Sequence, residues 1–451
     1  MSNFLENSAI VSATASAINS DAETAAETAA ETAAESATES ALSPEPAGAD
    51  RALSSKASVV MGAMPLMGTL TGIGQYVRQL AIALINEQLL ADLQLMAGAR
   101  FLDHAVLGES GHLEVSGNTV VTKQHRISSA ALAMRRSAAQ IAAKSYLATV
   151  IHAKLAEVAA RRSLRAYQGT YLYHSPNFGL PPFDGPTVAT VHDLSVLKFP
   201  EFHRRQTVEL CERGIADAVN RGAHIITDSR VMEAEIQKEF ALPSERISAI
   251  HLAPDPRCQP RTEAQCGRVL RELKLEYRSF FLSVGTIEPR KNLLRLLAAF
   301  RRGRAEGHFD WPLVVVGASG WKNDKEHEAL HDLCRDGRAI YLKYVPDGTL
   351  HLLYSAAGAL VYPSVYEGFG LPVAEALASG CPVITSAGTA MEEFAAGRAK
   401  LVNPLDEDSI MRALCDRARQ PALPQPEATL YTRTWRDVAI ATAQVYDSVS
   451  Q

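Results

Sequence analysis

Residues 362–386 read YPSVYEGFGLPVAEALASGCPVITS, and the fold is decided here. The apolar run ending at Tyr362 and Pro363 predicts a buried parallel strand, after which Gly368 and Gly370 let the backbone turn without a Cβ clash. Pro372 suits the first turn of a helix, Ala374 to Ala378 are good helix formers, and Gly380 is placed to end it. The next strand runs from Pro382 to Ser386. This order places free backbone N–H groups and a positive helix end at the carboxyl edge of a parallel sheet, where such sheets bind anions. Two carboxylates frame the turn, Glu367 in the loop and Glu375 one turn into the helix, with seven residues between them. A carboxylate beside a diphosphate is repelled. Glu375 therefore makes sense where it reaches past the phosphates to a neutral diol such as a ribose, and Glu367 where it meets sugar hydroxyls. The plain alternative is a pair of surface glutamates, one favourably near a helix N-terminus.

The whole string resembles the donor-binding signature of retaining glycosyltransferases of the GT-B fold, family 4, whose hallmark is Glu, seven residues, Glu. The core from Glu367 to Pro372 (EGFGLP) is far more specific than the spacing. The resemblance covers about residues 58 to 448. It implies an α/β protein of two Rossmann-like, doubly wound domains facing across a cleft, with the nucleotide-sugar donor held mainly by the second and the acceptor by the first.

Upstream, Phe280 to Gly285 predicts the strand that opens the second domain, followed by TIEPRKNLLRLLAAF. Asn292 is placed to cap a helix from Leu293 to Phe300, which leaves Arg290 and Lys291 at its positive end, where cations carry the wrong sign. An anion between them explains the pair; solubility is the alternative. In the resembled family the matching basic positions hold the donor diphosphate, which implies Arg290 and Lys291 as phosphate ligands. Some members carry an arginine directly after the first glycine, where this chain has Thr286. Strands Pro312 to Gly317 and Ala339 to Tyr344 follow. The resemblance puts Val345, with Pro346, at the nucleotide base and Gly368, Phe369, Gly370 and Leu371 at the donor. The family's proline between the residues matching Met391 and Glu392 is missing.

In the first half, the strand Ser58 to Ala63 leads into GTLTGIGQYVRQLAIAL, a second glycine-rich loop before an amphipathic helix. A dinucleotide fingerprint needs a third glycine where Val77 stands, and no GK[ST] string exists, so the dehydrogenase and P-loop readings lose support. In the resembled family this loop lies over the cleft, which implies Gly72 and Gly74 near the donor; a tight turn packing a helix on a sheet is the alternative. The stretches Thr170 to His174, Thr187 to His192 and Ala223 to Thr227 read as strands ending on one sheet edge. The string VHDLSVLKFPEF is similar to the family's histidine loop, which implies that His192 reaches the transferred sugar. His174 and Ser229 are further candidates for the acceptor side of the cleft.

At 451 residues two domains are expected. They are read as 58–253 and 261–430, joined by PDPRCQP at 254–260, with 431–451 a helix crossing back to the first domain. The net charge of −5 is unevenly spread: residues 1–57 carry nine acids against two bases, −7, which leaves +2 for the remainder and no field for a nucleic-acid partner. That Ala/Glu/Thr-rich tail has too little apolar surface to offset chain entropy, so disorder is expected. No apolar window is long enough for a membrane span, and no basic-then-apolar signal opens the chain. The six cysteines include no CxxC pair, which points to a reducing cytoplasm and away from structural zinc. Lys123 to Arg165 carries nine basic residues against Glu157 at near-helical spacing. It reads as a solvated helix face, or as a surface lying on anionic lipid where it meets an acceptor carried on a lipid phosphate.

The resemblance implies transfer with retention of configuration and without a metal or other cofactor. No Asp-x-Asp string stands where a metal would neutralise a diphosphate. GDP-mannose is the expected donor, with UDP- and dTDP-sugars next, and a lipid-linked or other saccharide of bacterial surface polysaccharide the expected acceptor. With no protein base in view, the leaving phosphate would take the acceptor's proton while His192 positions the sugar; Glu367 as nucleophile competes. A nucleotide-sugar epimerase or hydrolase of the same fold, and a catalytically silent binding subunit, remain the other readings.

Overall fold

The structure is a computed structural model and describes residues 55–67, 72–108, 146–320, 322–420 and 430–451. The acidic tail up to residue 54 and residues 109–145, which include the part of the basic stretch from 123 to 145, lie outside the described residues. Two sheets organise the rest. The first holds β1 (Ser58–Gly62), β2 (Asp92–Ala97), β3 (Arg100–Leu102), β4 (Leu172–Ser175), β5 (Thr187–Thr190), β6 (His224–Thr227) and β7 (Ile247–Ala249) in the order β3-β2-β1-β4-β5-β6-β7. It is parallel throughout except for the antiparallel β2–β3 edge. The second holds β8 (Phe281–Val284), β9 (Leu313–Val316), β10 (Ala339–Leu342), β11 (Ala359–Tyr362), β12 (Val383–Ser386) and β13 (Lys400–Val402) in the order β10-β9-β8-β11-β12-β13, all parallel.

The sequence of these strands explains the layers. LVVV of β9, ALVY of β11 and VITS of β12 are buried at every residue, which a strand achieves only with helices on both faces of its sheet. In both sheets the strand order reverses beside the first strand, at β1/β4 and at β8/β11, and it is at such switch points that open parallel sheets bind ligands.

The carboxyl edges of the two sheets meet at a seam. Ser229 caps the helix Arg230–Phe240 by accepting from the Met232 amide, and its own hydroxyl donates to the Gly368 carbonyl at 2.9 Å. The Glu393 carboxylate crosses the seam to accept from the Arg230 and Val231 amides and lies 2.6 Å from His251 Nε2. Tyr366 projects from the second domain into the first, where its hydroxyl donates to Glu235 at 2.7 Å. The helix Trp435–Ser450, started by a Thr434/Asp437 capping box, packs on the helix Gly72–Asn86 of the first domain. Trp435 Nε1 donates to the Pro254 carbonyl at 3.0 Å and the Tyr446 hydroxyl lies 2.6 Å from His174 Nδ1.

Candidate active site

Glu367 follows β11 and is the hub of the second domain's edge. It is 6% exposed, accepts from Arg290 Nη1 at 2.9 Å and Lys291 Nζ at 2.5 Å, and takes a third hydrogen bond from the Tyr362 hydroxyl at 2.9 Å. Burial pushes its carboxyl up, but the Arg290 guanidinium and the Lys291 ammonium outweigh that and hold it down at about 2. Arg290 is held on its other side by Glu288, whose oxygen lies 2.9 Å from Nε without the alignment of a hydrogen bond. The anion expected between Arg290 and Lys291 is therefore, in this state, a side chain of the protein itself.

Asn292 departs from expectation. It holds the position before the helix Leu293–Ala305 with φ +58, yet its side chain does not cap that helix. Its amide instead donates to the carbonyls of Pro363 and Pro404, tying the β8 loop to the loop after β11, so that the two basic residues and Glu367 come together.

The glycine loop does what its residues allow. Gly370 has φ +95, a conformation that favours glycine, and a Cβ there would also meet Met391 Cγ at 2.6 Å. Met391 is fully buried beneath the turn and fills the space under Gly370. Gly368 passes directly against the His192 carbonyl, where any Cβ would collide. Phe369 is 3% exposed and stacks on Phe394 at 4.4 Å, so its ring anchors the loop while its amide stays at the helix start. The helix Leu371–Ala378 has no side-chain cap, and among the described residues no acceptor takes the amides of Gly368, Phe369, Gly370 or Leu371. Free N–H donors at a positive helix end are groups that can receive an anion.

Glu375 lies one turn further, partly exposed, and accepts from the Tyr354 hydroxyl at 2.9 Å. Burial pushes its carboxyl up to about 7, the Tyr354 bond opposes this, and the carboxylates of Asp255 and Asp347 add to the rise. Val345 is partly buried in the loop between β10 and the helix Asp347–Ala356.

Across the seam, His192 presents both ring nitrogens to acceptors: Nδ1 lies 2.7 Å from Asp228 Oδ2 and Nε2 3.1 Å from the Pro176 carbonyl. Both contacts are hydrogen bonds only when the ring is doubly protonated. Burial works against that charge, the Asp228 carboxylate outweighs burial, and the net shift is upward. An imidazolium can donate and stabilise negative charge, but it is not a base.

Other sequence-predicted residues fall differently. His174 is fully buried, bonded to Thr190 Oγ1 and Tyr446, and burial drives it down to about 3. It is a neutral link between sheet and terminal helix, and the expectation that it lines the cleft is corrected. Ser229 sits in the seam with no exposure. Gly72 and Gly74 lie inside the first turn of the helix Gly72–Asn86 and do not precede it; the loop before them, 68–71, is outside the described residues. Sequence reasoning missed Asp228, Tyr362 and Tyr354. Asp228 carried a signal, an acid at the end of the strand beside that of His192, whereas the two tyrosines are core residues whose hydroxyls reach the site only through the fold.

Two Rossmann-like sheets whose carboxyl edges face each other across a seam make the GT-B fold. The fold is shared with the lipopolysaccharide glycosyltransferase WaaG (TM-score 0.56, 14% identity, 86% of this chain and 96% of that one). It is shared also with sucrose-phosphate synthase of Thermosynechococcus elongatus (TM-score 0.55, 18% identity, 88% and 96%). The family described as glycosyl transferases group 1 matches residues 271–414. O-antigen chain mannosyltransferase B of Escherichia coli is 32% identical over 85% of this chain and 93% of its own length. O-antigen chain mannosyltransferase RfbU of Salmonella typhimurium is 30% identical over 50% of this chain and 59% of its own. The chain belongs to the glycosyl transferases group 1 family.

Proposed function

We propose that this protein transfers mannose, with retention of anomeric configuration, from GDP-mannose to a saccharide acceptor in bacterial surface polysaccharide synthesis. The sugar and pathway rest on the mannosyltransferases it resembles. The observation that carries the chemistry is the convergence of Arg290, Lys291 and the free amides of residues 368–371 on one side of the seam with His192 on the other. The donor diphosphate lies against the amides and the two cations, whose remaining N–H groups take its charge as the C1–O bond breaks. Glu375 accepts hydrogen bonds from the ribose diol. Glu367 keeps the cations in register and orients sugar hydroxyls. The acceptor oxygen bonds to C1 from the face the phosphate leaves, and its proton passes to the departing phosphate oxygen, giving the glycoside and GDP. His192 exchanges its Nε2 contact with the Pro176 carbonyl for a hydroxyl of the sugar and so positions it, while Nδ1 stays on Asp228.

No described helix is long and apolar enough to cross a membrane. The helix Tyr146–Leu164 exposes Leu155 and Val158 beside Arg161 and Arg162, which supports contact of this face with an anionic bilayer that carries the acceptor. The primary test is a thermal-shift comparison of GDP, UDP and dTDP, followed by the product's anomeric configuration from NMR. Stabilisation by GDP above the others and an α-linked product from an α-donor are expected; no shift with any of the three overturns the reading.

A further inference from the structure

The two domains meet again at a cavity of about 560 Å³ lined by Pro200, His203, Arg204, Arg205, Val208 and Lys322. Four of these side chains are basic types and none is acidic. Five of the six come from the segment beyond His192 and the start of the helix Arg205–Asn220; Lys322 comes from the second domain, in the loop between β9 and the helix Asp324–Arg335. Lys322 adopts φ +52, and its ammonium donates to the Glu201 carbonyl, so a cation of one domain is held over a basic surface of the other. The lining segment follows on from His192 and Asp193, and the Asp193 carboxylate lies 3.8 Å from Arg290 Nη1, which puts the cavity on the side of the reaction centre.

The charge is unbalanced. Arg204 stands at the N-cap position of the 16-residue helix and Arg205 in its first turn, with no side-chain cap, so two cations crowd a positive helix end. Glu209 takes Arg205 at 3.0 Å, but among the described residues no carboxylate pairs with Arg204 or Lys322. At Arg290 and Lys291 the same crowding is relieved by Glu367. Here Glu209 holds Arg205 and the carboxylates of Asp193, Glu288 and Glu201 act on His203, but among the described residues none pairs with Arg204 or Lys322, and the space is large enough for an anion to enter.

We propose that this cavity binds a phosphate group, that of a phosphorylated acceptor seated beside the transferred sugar; the acceptor assignment rests on the transferase reading above. Guanidinium and ammonium groups from two domains suit the tetrahedral oxygens of phosphate. The site itself is tested without any sugar, by titrating inorganic phosphate calorimetrically into the full chain and into Arg204→Ser/Lys322→Ser. The variant is expected to lose one binding event, or to bind at that site about tenfold more weakly, as the loss of charged hydrogen-bond donors requires. Superimposable isotherms overturn the site, and the single variants repeat the test should the double variant fail to give a cooperative thermal transition. The source is then decided with octyl α-mannosyl phosphate and octyl α-mannoside as acceptors. A KM raised in the variant for the phosphate ester alone supports the acceptor. Added inorganic phosphate that alters transfer to the plain mannoside in wild type and not in the variant assigns the site to free phosphate and overturns the acceptor. Loss of a phosphate event in the variant, with no nucleoside diphosphate shift in wild type, keeps the site and removes the transferase reading instead.

Discussion

Glu367 and Glu375 stand on the same loop and helix of the same domain, yet their surroundings drive them in opposite directions. Glu367 has a guanidinium, an ammonium and a tyrosyl hydroxyl on its two oxygens and is held down at about 2. Glu375 has one tyrosyl hydroxyl and two nearby acids and is pushed up to about 7. The first is permanently charged and serves as a strut that aligns cations. The second is a carboxylate short of donors, which is why it is the one proposed above for the ribose diol.

The largest effect that breaks this contrast is removal of a strut partner. Lys291→Ala leaves a buried carboxylate half-compensated and is expected to destabilise the fold by about 3 kcal/mol. It should also lower kcat/KM by about 10²-fold or more through the lost electrostatic stabilisation. Denaturant unfolding and steady-state kinetics read the two losses separately, and a fully stable, fully active variant removes the strut role. Next comes Gly368→Ala, whose methyl collides with the His192 carbonyl. Opening of the seam, which strips the buried Ser229–Gly368 hydrogen bond, should cost about 10²-fold in turnover together with about 1–3 kcal/mol of stability, and small-angle scattering should show an expanded particle.

The pH dependences sharpen the comparison. Glu367, depressed from 4.5, contributes stability above 4.5 that is lost as pH falls towards 2; Glu375, raised from 4.5, contributes stability below 4.5 that is lost as pH rises through about 7. Between pH 5 and 8 wild type should therefore lose stability relative to Glu375→Gln, by about 1 kcal/mol after discounting for its partial exposure. Over the same range GDP binding should strengthen in wild type, as the ionised carboxylate becomes available, and stay flatter in Glu375→Gln. Parallel pH profiles for the two proteins would place Glu375 away from the nucleotide. The smallest effect belongs to Tyr446→Phe, which removes a hydrogen bond from buried His174. A loss of about 1 kcal/mol with unchanged kinetics is expected, and a kinetic defect without a stability loss would return His174 to the cleft.

Much of this was legible in residue order. Buried strand runs, glycines at two sheet edges and the Glu367–Glu375 spacing are local patterns, and each leads to the second sheet and its loop. The partner of Arg290 and Lys291 was not legible: 77 and 76 residues separate them from Glu367, and only the adjacency of β8 and β11 joins the ends of those strands. Asn292 misled for a related reason, since an asparagine before a helix reads as a cap until the distant Pro404 carbonyl is seen to take its amide. His174 looked like His192, a histidine ending a strand. The difference is the helix Trp435–Ser450, which arrives from 272 residues away to bury one of the two.

The sequence by itself determined the two parallel sheets, the turn at Gly368 and Gly370 and the residue types available to hold an anion, because periodicity, turn chemistry and helix ends are set by neighbours along the chain. Tertiary structure alone decided which charges meet. Pairing, burial and therefore protonation depend on which strand edges adjoin and how closely the two domains approach, and these are distances that no local pattern encodes.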